Sequence, residues 1–135
     1  MRPAWCLAGA GAIAATAVAL LVRRVEVAGD SMRPTLEPGD RLVLARVGRV
    51  QPGDLLAVRD PRLPERVVVK RLAELSPKGL VVLGDNPGSS TDSRHFGPVD
   101  PRAVKGRAVY RYAPEHRRGP LIPSWPSTRP QRGYP

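Results

Sequence analysis

Nineteen consecutive residues, Ala4 to Val22, carry no charge, and a helix needs roughly 20 such residues to cross the hydrocarbon core of a bilayer. The run is read as one transmembrane anchor, residues 4–22. Eight of its residues are Ala and two are Gly, so it is only mildly apolar, and a cleaved signal peptide is the competing reading, with Ala17-Val18-Ala19 as a small-x-small cleavage site. Against cleavage, the chain passes from Val22 through Arg23-Arg24 directly into Val25-Glu26-Val27, a charged, strand-like stretch. Residues 23–112 then provide one compact domain of roughly 90 residues, enough for one core and one site. Residues 113–135, with six prolines among 23 and few aliphatics, are expected to be a disordered tail outside the fold.

That core rests on Val, Leu and Ala, because hydrophobic residues make up 41% of the chain and aromatics 4%. Short strands suit such residues. Apolar segments are expected as strands at 26–28, 41–46, 55–59, 66–74, 80–83 and 103–112, an all-β domain. Pro38-Gly39-Asp40 is echoed by Pro52-Gly53-Asp54, each followed by a strand: proline presets φ and glycine permits a positive φ. The formal charge of +10 comes from 22 basic residues, 19 of them Arg, scattered without the aromatic interleaving that stacks bases, which argues against nucleic acid as a partner. Anionic membrane lipid accounts for the charge more simply, although with Ala, Gly and Pro also abundant the excess of Arg reads more as a compositional bias than as a designed patch and carries little functional weight. Cys6 is the only cysteine, which rules out an intrachain disulfide and a cysteine metal cluster.

Three segments carry chemistry. Gly29-Asp30-Ser31-Met32-Arg33-Pro34-Thr35-Leu36 brackets a serine between glycine and proline, presenting its hydroxyl on a turn, although such a turn alone is more often just a turn. In Arg66-Val67-Val68-Val69-Lys70-Arg71-Leu72, period-2 alternation puts Val68, Lys70 and Leu72 on one face and Arg71 on the other. A lysine flanked by apolar residues loses proton affinity by desolvation and becomes available as a neutral base, although an edge lysine that snorkels is the blander alternative. The third, Gly84 to Val99, contains Ser90, Asp92 and Arg94, is too polar for a plain hairpin, and places Asp92 and Arg94 for a local ion pair. Neither histidine is suited to a Ser-His-Asp triad: His116 lies in the tail and His95 in this loop.

Together, in this order behind an apolar run, the segments resemble the bacterial signal peptidase I family and its mitochondrial inner-membrane relatives, over residues 5 to 112. The resemblance implies Ser31 as nucleophile and Lys70 as general base. It implies Ser90 as the hydroxyl orienting the Lys70 amine, with Asp85, Asp92 and Arg94 in support. Met32, Pro34, Thr35 and Leu36 are implied to shape the substrate cleft, and the Ser31 backbone amide to donate to the oxyanion. Where some relatives have a second oxyanion serine two positions before the nucleophile, this chain has Gly29. Pro87 replaces a common basic residue, and His95 falls at a variable position without an assigned role. The chemistry implied is a Ser/Lys endopeptidase that removes signal or pro-peptides from a pre-protein substrate and requires no metal or cofactor.

The short Lys70–Gly84 spacing and the string Asp85-Asn86-Pro87-Gly88-Ser89-Ser90-Thr91-Asp92-Ser93-Arg94 resemble one branch, the maturation peptidases of nickel-type superoxide dismutase. Self-cleaving repressors share Gly-Asp-Ser-Met and a strand lysine, but nothing before Ser31 reads as a helix-turn-helix. A catalytically inactive β-domain binding module would not account for Ser31, Lys70 and Ser90 together. The expected location is a single-pass cell-membrane protein. Family habit puts the domain outside the cytoplasm; Arg23, Arg24, Arg33 and Arg41 after the run, against Arg2 before it, and the dismutase branch put it inside. The sequence carries no signal for oligomeric state.

Overall fold

The computed structural model describes residues 23–125. The expected anchor, residues 4–22, lies outside them, as do residues 126–135. No helix among the described residues is long and apolar enough to cross a membrane.

The domain is mostly β, as the alternation predicts. Among the described residues seven strands, β1 (Arg23–Glu26), β2 (Arg41–Ala45), β3 (Leu55–Arg59), β4 (Val67–Ser76), β5 (Gly79–Leu83), β6 (Val104–Ala113) and β7 (Gly119–Pro120), form one sheet. Its order is β1-β2-β6-β3-β4-β5, with β7 added to β6, and every pairing is antiparallel. The α-helix α1 (Ser93–Phe96) is a single turn.

Apolar side chains collect on both faces of this sheet. On one, Leu55, Ala57 and Val69 pack with Met32, Leu36 and Leu42; on the other, Leu56, Val58 and Leu72 pack with Leu80, Val82 and Val99. This is why β3 reads as an unbroken apolar run: consecutive residues alternate between two covered faces. Leu56 and Leu72 are fully buried, and such a side chain contributes about 1.5–3 kcal/mol of transfer free energy.

Both Pro-Gly-Asp turns form as expected, with Gly39 and Gly53 at φ of +92° and +99°, values an L side chain adopts only under strain. Their aspartates have a role the sequence did not reveal. Asp40 accepts the Glu37 N–H at 2.9 Å and Asp54 accepts the Gln51 N–H at 2.8 Å, so each carboxylate closes its own turn from a buried position.

The chain beyond residue 112 corrects the reading of a tail that begins at 113. β6 runs to Ala113, a 3₁₀ turn follows at Glu115–Arg117, β7 pairs with Tyr110 and Arg111, and Leu121 packs against the first apolar cluster. By composition such a segment buries too little apolar surface to be expected to fold alone. It folds here because long-range partners hold it: Arg117 meets the buried Asp40, and the Ser124 carbonyl accepts from Arg71.

Candidate active site

Ser31 sits on the turn between β1 and β2. Local bonds shape that turn, with Arg33 N–H donating to the Asp30 carbonyl at 3.2 Å and Leu36 N–H to the Met32 carbonyl at 2.9 Å. Met32 and Leu36 are buried in the first cluster and act as its roots, while the Ser31 side of the turn stays partly open. Lys70 comes from β4 before the stretch where that strand pairs with β5, since the β4–β5 register begins at Arg71. Both residues line one cleft of about 240 Å³, with Val27, Gly29, Val68 and Ser89 among its other walls.

Of the four residues assigned to the cleft, the structure brings only Met32 to its wall. Leu36 is a core residue and Pro34 is exposed. Thr35 faces elsewhere: its hydroxyl donates to Asp85 Oδ2 at 2.6 Å. A turn anchored by its apolar residues alternates between core and solvent, and proximity in sequence to Ser31 does not carry every side chain to the cleft.

The loop after β5 reaches both elements. Asn86 N–H donates to the Ser31 carbonyl at 2.9 Å, and Lys70 Nζ donates to Ser90 Oγ at 3.2 Å. Ser90 Oγ–H donates in turn to Asp92 Oδ2 at 2.7 Å. The serine proton is therefore committed to Asp92, and a Ser90 lone pair is left to receive Lys70. Gly84 makes this convergence possible. A Cβ there would lie 2.7 Å from the Ser31 carbonyl oxygen and would collide with the Ser90 hydroxyl.

Asp92 is fully buried and saturated with donors. It accepts from Gly84 N–H at 2.8 Å, from Arg94 Nε at 2.9 Å and Nη2 at 2.5 Å, and from the Arg94 N–H at 3.1 Å. Burial pushes its carboxyl up, but the hydrogen bonds from Arg94, Gly84 and Ser90 outweigh it and hold the pKa at about 2. The Asp92–Arg94 ion pair is the one expected from spacing. His95 has a structural use that sequence reasoning left blank: its Nδ1 accepts from the Asp92 N–H at 3.4 Å, completing the capping box of α1.

Lys70 is buried. Burial pushes its amine down from 10.5 to about 8; Asp92 and Asp60 oppose the shift, and Arg66 and Arg62 assist it. The arrangement supplies an amine able to exist neutral near physiological pH in the same cleft as a partly exposed serine, the two ingredients of proton transfer from a nucleophile to a base.

A family profile described as signal peptidase, peptidase S26, matches residues 2–79 and 72–113. The chain belongs to the S26 signal peptidase family. It is 36% identical to the mitochondrial ATP-independent inner membrane protease subunit 1a of Arabidopsis thaliana, across 75% of this chain and 76% of that protein. Its identity to mitochondrial inner membrane protease subunit 1 of Xenopus tropicalis is 32%, across 93% and 89% of the two chains. It is 34% identical to mitochondrial inner membrane protease subunit 2 of Danio rerio, across 80% and 72%.

In this S26 peptidase the residue that sequence reasoning most undervalued is Arg71, which alternation merely turned away from Lys70. Arg71 is buried and gives Nε to Asp85 Oδ1 at 2.8 Å, Nη2 to Asp85 Oδ2 at 2.7 Å and Nη1 to the Gly53 carbonyl at 2.9 Å. Asp85 also receives Thr35, so one ion pair joins the Ser31 turn, β4, a Pro-Gly-Asp turn and the loop after β5. The signal in the sequence was a second cation immediately after the first, on the face that packs against the Ser31 turn.

Proposed function

We propose that this chain is a membrane-anchored serine endopeptidase that removes N-terminal signal or pro-peptides, with Ser31 as nucleophile and Lys70 as general base. One observation carries the reading: a buried lysine, with its amine hydrogen-bonded to Ser90, shares a cleft with Ser31. Neutral Lys70 takes the Ser31 hydroxyl proton as the oxygen attacks the scissile carbonyl, and the Ser31 backbone N–H donates to the resulting oxyanion. The Lys70 ammonium then protonates the leaving amine as the C–N bond breaks and its electron pair passes to nitrogen, leaving the acyl group as an ester on Ser31. Water, deprotonated by Lys70, hydrolyses the ester and restores Ser31. Ser90 holds the amine by one N–H, leaving its lone pair for Ser31. The apolar run 4–22 and the likeness to inner membrane proteases support placement at a membrane.

A narrower reading makes the substrate a single cytoplasmic propeptide, as in the nickel-type dismutase branch. The tight β4–β5 connection between Ser76 and Gly79, which leaves no inserted domain, favours it.

The test is the pH profile of kcat/KM on a precursor protein, with the product's new N-terminus sequenced. Because Lys70 acts only when unprotonated and its pKa lies at about 8, kcat/KM is expected to rise tenfold per pH unit below about 8 and level off above it. An inflection near 10.4, the value of a free lysine, would show an unburied amine, and no inflection would require another base. Stability moves the same way. The unfolded chain holds the Lys70 proton between about 8 and 10.5 while the folded chain does not, so Lys70's contribution to stability rises with pH across that window.

A further inference from the structure

Residues 114–125 touch the site from outside at two ends. At the first end, Arg117 Nε and Nη2 donate to Asp40 Oδ1 and Oδ2, each at 3.0 Å. Arg111 Nη1 donates to the same carboxylate at 3.1 Å and to the Thr35 carbonyl at 3.1 Å, which Arg117 Nη2 also approaches at 3.5 Å. Arg111 Nε donates to the Arg117 carbonyl, fastening one arginine to the other. Arg117 Nη1 lies 3.6 Å from Glu37 Oε1, which in turn is 3.6 Å from Arg33 Nη1. Two guanidinium groups therefore grip the C-terminal side of the turn that carries Ser31.

At the second end, the Ser124 carbonyl accepts from Arg71 Nη1, next in sequence to Lys70. Between the ends, Leu121 packs on the first apolar cluster and its N–H donates to the Val109 carbonyl at 2.9 Å. The segment thus spans from the serine turn to the lysine strand, and at each end it meets a buried charged residue, Asp40 at one and Arg71 at the other.

We propose that residues 114–125 form a strap that sets the position of the Ser31 turn relative to β4, with Arg117 as its positioning residue. The inference rests on Ser31 and Lys70 being the reacting pair. The strap acts through geometry: Thr35 is held by its hydroxyl from Asp85 and by its carbonyl from the two arginines, and release of one hold lets the turn drift. Misplacement of a nucleophile by about 1 Å costs on the order of 100-fold in rate. The Asp40 grip persists across the working pH range. Burial pushes its carboxyl up, yet the Arg117 hydrogen bond, the Glu37 N–H and the charges of Arg111 and Arg117 outweigh this and keep it below the usual carboxylate range.

The experiment compares full-length wild type with Arg117→Gln and Arg117→Lys, at a temperature where circular dichroism shows all three folded, and resolves kcat from KM. Arg117→Gln is expected to lower kcat about 10- to 100-fold with KM within about twofold. Arg117→Lys, which keeps the charge but loses the paired hydrogen bonds, should recover part of the loss. Arg102→Gln, which removes an exposed ion pair with Asp100, serves as a charge-matched control with unchanged rate. If Arg117→Gln keeps wild-type kcat while Ser31→Ala is inactive, the strap is wrong and the Ser/Lys reading stands. Activity retained by Ser31→Ala would overturn that reading itself.

Discussion

Lys70→Arg is expected to lower kcat/KM at pH 8 by about 10⁴-fold or more while leaving the domain folded. Ser31→Ala should do the same, since members of a catalytic unit fail together rather than additively. Arginine keeps the positive charge and most of the length, but its guanidinium does not surrender a proton at any pH the protein survives, so the step that activates Ser31 is lost. Desolvation lowers the pKa of the wild-type amine to about 8; the same burial leaves an arginine protonated. Cleavage of a precursor by purified variants, with circular dichroism to show the fold, measures this. A Lys70→Arg protein that retains more than about one-tenth of wild-type activity would contradict the base assignment.

The second large effect is on stability. Arg71→Met is expected to destabilise the domain by about 3–5 kcal/mol, because it leaves the Asp85 carboxylate buried without its countercharge. It also strips a donor from the carbonyls of Gly53 and Ser124. Set against a total stability of roughly 5–15 kcal/mol for a domain, that loss threatens folding at growth temperature. The double variant Arg71→Met/Asp85→Leu should cost less than the sum of the two single replacements, since removing both charges leaves no orphan. Urea unfolding of the four proteins gives the coupling. Strict additivity within about 0.5 kcal/mol would mean that the pair is not a unit.

These two arginine and lysine neighbours show where local sequence suffices and where it stops. Alternation along Arg66–Leu72 separates Lys70 from Arg71, and the structure follows it: Val69 joins one apolar cluster and Leu72 the other. What alternation does not contain is the partner across the fold. Asp85 lies 14 residues away from Arg71 in sequence and Thr35 lies 36 away, and no period connects them. The same holds for the two Pro-Gly-Asp turns, legible as turns from three residues each, whereas the union of Asp40 with Arg117 crosses 77 positions. That union is also why a proline-rich stretch that composition sets aside becomes part of the domain. Gly84 is a further case. In the sequence it looks like another turn glycine; in the structure its missing side chain is the space in which the Ser31 carbonyl and the Ser90 hydroxyl approach.

Catalysis by Ser31 and Lys70 requires a covalent bond to one atom, Ser31 Oγ. Wild-type protein incubated at pH 8 with an activated ester of a small-residue peptide, quenched in acid, digested and examined by mass spectrometry, reports that bond directly. The expected result is one acyl group on the fragment containing Ser31, with no adduct in Ser31→Ala and a strongly slowed one in Lys70→Arg. Acylation at another residue, or cleavage of precursor by Ser31→Ala at the wild-type rate, would contradict the assignment of Ser31 as nucleophile.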